Sequence, residues 1–214
     1  MENYVITIAR GFGSGGKEIG TMLSEKLGIP CYENQILEMA SEYSGLDEKV
    51  FAQVDEKLRA GHVANWLNKF TLKKAALPYD HEFVSDMHLF QIQEKIIRDL
   101  AETESCIIVG KCADKVLREY DNVVSVYVEA SREECIRSIC RKRGLNANEA
   151  EEMIKRTDRY RYEYYKYYAG GDWRNPINYD MVLNTGRIGR KRCVDLMISY
   201  LKIKFPEFDF KELQ

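Results

Sequence analysis

The amino-acid sequence predicts a three-layer α/β fold, in which helices cover both faces of a five-stranded parallel sheet. Apolar, β-branched runs of strand length alternate along the chain with segments of helical periodicity. The first of these runs leads directly into a turn that has four glycines within six positions. The chain has 214 residues, of which 45% are hydrophobic, and this is enough to bury one sizeable core. We therefore predict a single domain over residues 1–214.

The glycine-rich turn after the first strand has the features of an anion-binding loop. Glycines let successive backbone N–H groups turn inward around an anion, and the helix that follows adds its positive N-terminal end. Lys17 supplies a mobile cation, and the spacing Gly11-x4-Gly16-Lys17 fits the phosphate-loop pattern of proteins that bind nucleoside triphosphates. We call residues 11–17 the phosphate loop. The residues predicted to bind the triphosphate are Gly11, Gly13, Ser14, Gly15, Gly16, Lys17 and Glu18.

The position after Lys17 departs from this pattern. Phosphate loops usually carry a Ser or Thr there, whose hydroxyl helps to hold Mg²⁺, whereas this chain has Glu18. We interpret Glu18 as an acid that the helix dipole favours in the first turn. A Mg²⁺ that arrives with ATP is expected near Ser14 and the phosphates. The three histidines lack the spacing of a metal motif, so no metal site made of protein ligands is predicted.

The segment between the first and third strands is mostly helical. Apolar residues at helical spacing continue to Leu27, and Gly28-Ile29-Pro30 ends this first helix. Residues 30–33 have only the length of a short second strand. The pattern from 34 to 86 is helical but irregular, and we interpret it as an insertion that interrupts the sheet. Residues 86–104 then form one amphipathic helix.

Polar residues follow the third strand at a position where ligands bind. Residues 106–110 form an apolar run that is too short for a helix, as in a buried parallel strand. Lys111 and Asp114 therefore lie at the carboxyl end of a central strand, where open α/β sheets bind their ligands. An ordinary exposed turn is the alternative, and the position favours a ligand contact.

Two basic helices follow the fourth strand, which is predicted over residues 122–130. We call residues 137–172 the lid, because a basic segment of this kind can close over bound phosphates. Basic helix faces are also common as solvated surface, so that alternative stays open. The candidate phosphate contacts are Arg141, Arg156 and Arg161. A last strand within residues 179–186 and a closing helix complete the fold.

The second half of the lid is rich in tyrosine. Helically spaced tyrosines usually pack on a core or on a subunit interface and keep their hydroxyl groups wet. We favour this interpretation over base stacking on single-stranded RNA. A second copy of the chain is therefore a candidate partner through this surface. The tyrosines are Tyr160, Tyr162, Tyr164, Tyr165, Tyr167 and Tyr168.

Composition excludes several other classes of protein. The 32 Lys and Arg residues against 34 Asp and Glu residues give a net charge of −2, so no global basic field attracts nucleic acid or an anionic membrane. The six cysteines form no CxxC pair and are expected to be reduced thiols. No signal segment or apolar run near the ~20 residues of a membrane span is present. We expect a cytoplasmic protein.

Three separated motifs together resemble the cytidylate kinase-like family of bacterial proteins. The motifs are Gly13-Ser14-Gly15-Gly16-Lys17-Glu18-Ile19-Gly20, Ile107-Ile108-Val109-Gly110-Lys111-Cys112-Ala113-Asp114 and Tyr179-Asp180-Met181-Val182-Leu183-Asn184. The resemblance covers nearly the whole chain. It implies a nucleoside monophosphate kinase fold with strand order 2-3-1-4-5, an insertion on the acceptor side and a moving lid. It also implies transfer of the γ-phosphoryl group of ATP, with Mg²⁺, to a nucleoside monophosphate.

The resemblance carries over to individual residues with three departures. True cytidylate kinases have Gly-Arg-Asp after the third strand, whereas here no Asp directly follows Gly110-Lys111 and Asp114 lies three residues on. The family generally has Arg where Lys111 stands in this chain. True cytidylate kinases carry Arg-x3-Asp-x2-Arg in the lid; Asp158-x2-Arg161 fits its second half, while Ile154 occupies the first Arg position. The resemblance implies substrate contacts at Lys111, Asp114 and Asp158. Catalytic contacts are expected from Lys17, Arg141, Arg156 and Arg161.

The acceptor is the least determined part of this prediction. A cytosine base offers an amine donor that suits a carboxylate, and its 5′-phosphate suits cations. Asp114 and Lys111, with Arg161 from the lid, provide that pairing for CMP or dCMP. Two alternatives stay open. The chain could instead be a non-catalytic nucleotide sensor, or a kinase of another small acceptor such as a nucleoside, a sugar or a shikimate-like alcohol.

Overall fold

The computed structural model describes residues 3–45, 86–208 and 210. Its five strands form one parallel sheet in the order β2-β3-β1-β4-β5, which confirms the predicted fold class and strand order. Most of the predicted insertion at 34–86, with His62 and His81, lies outside the described residues. The strands are β1 Val5–Arg10, β2 Cys31–Tyr32, β3 Cys106–Val109, β4 Val123–Glu129 and β5 Met181–Asn184.

Helices connect the strands and cover both faces of the sheet. A 3₁₀ turn at Pro176–Asn178 precedes β5. The helices of the described residues are α1 Gly16–Leu27, α2 Gln35–Ser44, α3 Asp86–Thr103, α4 Ala113–Val116, α5 Arg132–Arg143, α6 Ala147–Ala169, α7 Thr185–Ile188 and α8 Arg190–Lys204.

The apolar strands are explained by burial on both faces. Successive residues of a strand point to opposite faces, so a central strand with both faces covered is apolar throughout. Ile6 and Ile8 of β1 pack with residues of α1 and α8 on one face of the sheet. Val5 of β1 and Ile108 of β3 pack with residues of α3 on the other face. This packing fixes the carboxyl ends of the strands, where the phosphate loop begins.

Helices α5 and α6 make up most of the predicted lid. Helix α5 begins at the N-cap Ser131, whose hydroxyl accepts a hydrogen bond from the Glu134 N–H, and α6 begins at a capping box made by Asn146 and Glu149. The two helices share a small apolar cluster that includes Ile154, which is 1% exposed. Burial explains why an apolar residue stands where cytidylate kinases have an arginine.

The tyrosine-rich half of α6 packs back onto the domain. Tyr164 and Tyr165 are buried in the core cluster on the α3 face of the sheet. The Phe90 ring of α3 stacks on Tyr168, with 4.2 Å between ring centroids. All six cysteines are free thiols, as predicted. Within the described part of the chain, no helix has the length and apolar character to cross a membrane.

Candidate functional site

The phosphate loop follows β1 and has a tight, glycine-dependent backbone. Gly13 and Gly15 adopt φ values of 91° and 96°, a left-handed region that residues with a Cβ rarely enter. A Cβ on Gly13 would also lie 2.9 Å from the carbonyl oxygen of Cys135 in α5. Helix α1 begins directly at Gly16, so its unpaired N–H groups and positive dipole end face the loop. The loop therefore has the backbone of an anion site.

Ser14 fastens this loop to the sheet. Its side chain is fully buried, and its single O–H has two acceptors within reach, the carbonyl oxygens of Gly11 at 2.8 Å and Val128 at 3.0 Å. The Ser14 carbonyl in turn accepts a hydrogen bond from the Thr185 hydroxyl at 2.6 Å. The Ser14 hydroxyl is therefore directed toward β4.

A cavity of about 860 Å³ opens in front of the loop. It extends from the phosphate loop to the residues that follow β3, and α5 and α6 form its roof. A volume of this size suits a small-molecule ligand. The predicted site residues on its wall are Gly11, Gly13, Gly15, Gly16, Lys17, Glu18, Lys111, Asp114, Arg156 and Arg161.

Lys17 shares one carboxylate with an arginine of β1. The Lys17 Nζ lies 2.9 Å from Oε2 of Glu33, and Nη2 of Arg10 lies 3.0 Å from Oε1 of the same group. Burial on its own would raise the pKa of Glu33. The hydrogen bonds and charges of Lys17 and Arg10 outweigh burial and hold that pKa below its ordinary value. The Lys17 side chain is still 70% exposed, so it can exchange this partner for a ligand phosphate.

Glu18 also has a cationic partner. Its carboxylate forms an ion pair with Lys142 at the end of α5. Burial, followed by the nearby charge of Arg190, lowers the pKa of Lys142. The first turn of α1 is thus tied to the lid across the cavity.

Asp158 of α6 is a second tie between the lid and the phosphate loop. It is 7% exposed, and its Oδ1 accepts a hydrogen bond of 2.8 Å from the Phe12 N–H in the loop. Burial raises the pKa of Asp158, although the Phe12 N–H and the Arg161 charge oppose that shift. Guanidinium nitrogens of Arg161, Arg174 and Arg132 lie 3.8, 3.8 and 4.0 Å from its carboxylate oxygens.

Arg161 reaches the end of β1. Its Nη1 donates to the carbonyl oxygen of Arg10 at 2.9 Å. Burial and the nearby Arg10 charge lower the pKa of Arg161 to about 9, so it is still a cation at neutral pH. Two lid arginines lie near the Phe12 ring, with the guanidinium carbons of Arg161 and Arg143 at 5.5 and 5.9 Å from its centroid. The cations of the lid are therefore concentrated above the loop.

The residues that follow β3 have an unusual backbone. Gly110, Lys111 and Cys112 have φ values of 82°, 57° and 54° in succession. Non-glycine residues in this region carry strain of about 1–3 kcal/mol, which tends to occur at ligand sites. We call residues 110–114 the acceptor loop. Its strained backbone fixes Lys111 on the wall of the cavity.

Asp114 lies at the buried end of the acceptor loop. It is 7% exposed, and Oδ2 accepts a hydrogen bond of 2.8 Å from the Tyr165 hydroxyl of the lid. Burial raises the pKa of Asp114 to about 6, and the Tyr165 hydrogen bond opposes part of that shift. The carboxylate is thus mostly ionised at pH 7 and takes up a proton in mildly acidic solution.

Arg141 lies apart from the cavity. It is exposed and borders a smaller recess of about 200 Å³ on the other side of the phosphate loop. Gly13 and Ser14 of the phosphate loop line this recess, together with Arg190 of α8. The structure therefore brings Arg156 and Arg161 into the cavity with Lys17, and leaves Arg141 outside it.

Arg10 and Glu33 are site residues that were not predicted from the sequence. No motif marks them, but each lies at the carboxyl end of a strand: Arg10 ends β1, and Glu33 follows β2. The rule that placed Lys111 at the site applies equally to them. In the part of the chain that the structure describes, no group of three or more His, Cys, Asp and Glu residues could hold a metal.

Comparisons with known proteins agree with this architecture. The family model described as the cytidylate kinase-like family matches residues 5–187. The search of curated proteins found no match.

Solved structures give the same result for the fold. An uncharacterized protein from Eubacterium ventriosum ATCC 27560 is 23% identical, with a TM-score of 0.68, over 94% of this chain and 99% of that one. A sugar kinase from Janibacter sp. HTCC2649 is 13% identical, with a TM-score of 0.50, over 94% of this chain and 95% of that one.

Proposed function

The chain belongs to the cytidylate kinase-like family, and from that premise we propose that it transfers the γ-phosphoryl group of ATP to a nucleoside monophosphate, with CMP or dCMP as the first candidates. One observation carries the proposal. Lys17 of the phosphate loop and two lid arginines, Arg156 and Arg161, lie on the wall of a single cavity. Phosphoryl transfer needs mainly positioning and positive charge around the transferred oxygens, and these residues supply both.

The chain's own groups have separate tasks in this transfer. The backbone N–H groups of the phosphate loop hold the phosphates of ATP. Lys17 leaves Glu33 and pairs with those phosphates. The exchange is favourable because the phosphates carry more negative charge than the Glu33 carboxylate. Arg156 and Arg161 approach from the lid and exclude water. The recess beside Arg141 is available to the nucleoside part of ATP.

Mg²⁺ is expected to arrive with ATP. It usually takes one or two carboxylates together with substrate phosphates, and Glu18 supplies a carboxylate on the cavity wall. The Ser14 hydroxyl fits this task poorly because it is fully buried and is not on the cavity wall. The ion, when bound, neutralises part of the charge on the phosphates. Lys142 would then lose its partner Glu18 and become available to a phosphate.

The acceptor loop supports the choice of a pyrimidine monophosphate. Lys111 provides a cation for the acceptor phosphate, and Asp114 provides a carboxylate for an exocyclic amine such as that of cytosine. Both line the cavity that the phosphate loop faces. Uracil has a carbonyl oxygen in place of that amine. This oxygen and the Asp114 carboxylate are both hydrogen-bond acceptors, so they would repel each other. We therefore expect CMP to react faster than UMP.

One observation favours a second candidate, a kinase whose acceptor is an uncharged alcohol. Glu33 places a carboxylate on the cavity wall beside Lys17. An acceptor that carries its own phosphate brings further negative charge close to that carboxylate, whereas a hydroxyl acceptor does not. A sugar or a nucleoside is the corresponding class of substrate.

A screen for ADP release decides between these candidates. Purified protein with Mg²⁺ and ATP is mixed with each nucleoside monophosphate and with a panel of small alcohols. We expect turnover with CMP or dCMP that Lys17→Ala abolishes and Lys26→Ala preserves. Lys26 is a matched control, since it lies on the same helix but pairs with Asp195 at 2.8 Å, away from the cavity. Turnover with an alcohol alone would favour the second candidate, and ATP binding without turnover would favour a sensor.

A further inference from the structure

Arg10 occupies a position between the two loops of the site. It is the last residue of β1, and its side chain is 17% exposed. A Cβ on Gly16 would lie 2.6 Å from the Arg10 Cβ, and a Cβ on Gly110 would lie 2.1 Å from its Nη1. Two glycines therefore leave the space that the Arg10 side chain fills. One belongs to the phosphate loop and the other to the acceptor loop, so the Arg10 side chain extends from the phosphate loop and places its guanidinium group at the acceptor loop.

The surroundings of Arg10 contain an excess of positive charge. Its Nη2 bonds to Oε1 of Glu33, whose other oxygen pairs with Lys17. Arg161 donates to the Arg10 carbonyl oxygen, and the proximity of the two guanidinium groups contributes to the lowered pKa of Arg161. Like charges in a poorly hydrated place repel each other, and an anion beside them relieves that repulsion. A phosphoryl group that moves from the phosphate loop to the acceptor loop passes this point.

We propose that Arg10 contacts the phosphoryl group during its transfer, and that Glu33 is the positioning residue that holds Arg10 there. This inference rests on the proposed transfer from ATP. Glu33 uses a separate oxygen for each cation. It can therefore release Lys17 to ATP and keep its bond to Arg10. Arginine offers further N–H donors in a planar fork, which suits the equatorial oxygens of a phosphoryl group.

The chemistry of the step needs nothing beyond ATP and the acceptor. The bond between the γ-phosphorus and the oxygen that bridges it to the β-phosphorus breaks, and that oxygen leaves with its electron pair on ADP. A lone pair of the acceptor phosphate oxygen forms the new bond to phosphorus. That oxygen is ionised at neutral pH, so no proton has to move. Arg10 donates hydrogen bonds and stays protonated throughout.

A comparison of binding with turnover tests this role. ATP affinity is measured by calorimetry without acceptor, and turnover is measured as ADP release with the best acceptor, or with water if none reacts. We expect Arg10→Gln to lower kcat by about 100-fold or more, as when one donor to developing charge is removed, and to change the Kd of ATP by less than about threefold. Arg10→Lys should recover only part of the rate, since it lacks the planar fork.

The Glu33→Gln variant tests whether Glu33 positions Arg10. We expect this variant to bind ATP more tightly, because no carboxylate competes with the phosphates for Lys17. We expect kcat to fall, because the ion pair that positions Arg10 is lost. Arg98→Gln is the matched control: Arg98 lies on α3 and pairs with Glu94 at 2.7 Å, outside the cavity, so both quantities should stay unchanged. Thermal melts of all variants report whether they fold.

Each result has a separate meaning. A folded Arg10→Gln protein with wild-type kcat, or with ATP affinity reduced as much as turnover, would overturn the role of Arg10 and leave the proposed function intact. Wild-type protein that does not bind ATP, or that binds it and releases no ADP with any acceptor or with water, would overturn the proposed function together with this inference.

Discussion

The carboxylates at the two ends of the cavity differ in their partners and in their burial. At the phosphate-loop end, carboxylates are paired with cations: Glu33 with Lys17, and Glu18 with Lys142. At the acceptor-loop end, Asp114 is buried against a tyrosine hydroxyl, and its pKa is raised to about 6. A cation in an ion pair can exchange its carboxylate partner for a ligand phosphate. The charge of a buried carboxyl group, by contrast, depends on its hydrogen bonds and on pH. Changes at the first end should therefore alter affinity, and changes at the second should alter selectivity.

The largest expected effect lies at the phosphate-loop end. Lys17→Ala should weaken ATP binding by about 100-fold, which corresponds to roughly 3 kcal/mol for a charge-assisted contact with phosphate. The melting temperature should change by only about 2 °C, because the side chain is 70% exposed and the core does not use it. Calorimetry and a thermal melt measure the two effects. Unchanged ATP affinity in a folded variant would contradict the phosphate-loop assignment, and Lys26→Ala serves as the control.

The same contrast explains which features the sequence predicted. The phosphate loop and the β1–α1 unit are local: glycine spacing, a β-branched run and a helical pattern lie within residues 4–27. The lid helices follow from similar patterns, whereas the strand order was implied by the family resemblance and not by periodicity. The Tyr165 hydroxyl, by contrast, reaches Asp114 across 51 residues of sequence. Contacts of that kind depend on how α6 packs over the sheet, which periodicity does not specify.

Side-chain direction is the other part that the sequence left open. Ser14 is one residue of a glycine-rich loop, and nothing in that motif predicts that its hydroxyl has the carbonyl oxygens of Gly11 and Val128 within reach. Arg10 and Glu33 were missed because no motif marks them, and because the space that Gly16 and Gly110 leave for the Arg10 side chain is a tertiary feature. Ile154 departs from the lid motif for a tertiary reason, its burial between α5 and α6.

The second prediction concerns the contact of Asp158 in the lid with Phe12 in the phosphate loop. Asp158→Ala removes the carboxylate that accepts the Phe12 N–H and that faces three arginines. Loss of a hydrogen bond to a charged group costs about 1.5–3 kcal/mol, so cleavage by trypsin within residues 141–172 should become at least about tenfold faster. ATP with acceptor should protect the wild-type segment further. Asp195→Ala, an exposed change on α8, is the control; equal cleavage in all variants would mean that the segment is a static surface.

The third prediction uses the raised pKa of Asp114. Because the pKa rises from 3.8 to about 6 on folding, the native state binds more protons than the unfolded state between these values. The contribution of Asp114 to stability is therefore lost as pH rises from about 4 to about 6, by roughly 3 kcal/mol in total. Asp114→Asn should abolish this part of the pH dependence. Denaturant unfolding of both proteins from pH 4 to pH 7 measures it, and parallel curves would contradict the assigned pKa.

The smallest expected effects concern acceptor selection, where the two loops have to cooperate. Lys111→Arg replaces a point charge by a planar fork at a backbone position that already has a positive φ of 57°, so it should raise turnover with CMP by a few fold. Lys115→Arg, on the exposed side of α4, is the matched control. Asp114→Asn should lower the preference for CMP over UMP by about tenfold, the value of one hydrogen bond, and change the rate with CMP less.

The pH dependence of that preference distinguishes a direct contact from an indirect one. If the Asp114 carboxylate accepts a hydrogen bond from the cytosine amine, wild-type selectivity should fall as pH decreases through about 6, and the Asn variant should show no such fall. A preference that is independent of pH in both proteins would remove Asp114 from acceptor recognition. If no pyrimidine monophosphate reacts and an alcohol does, the cytidylate assignment fails. The phosphate-loop end would then keep its role, because its affinity for ATP does not depend on which acceptor the other end selects.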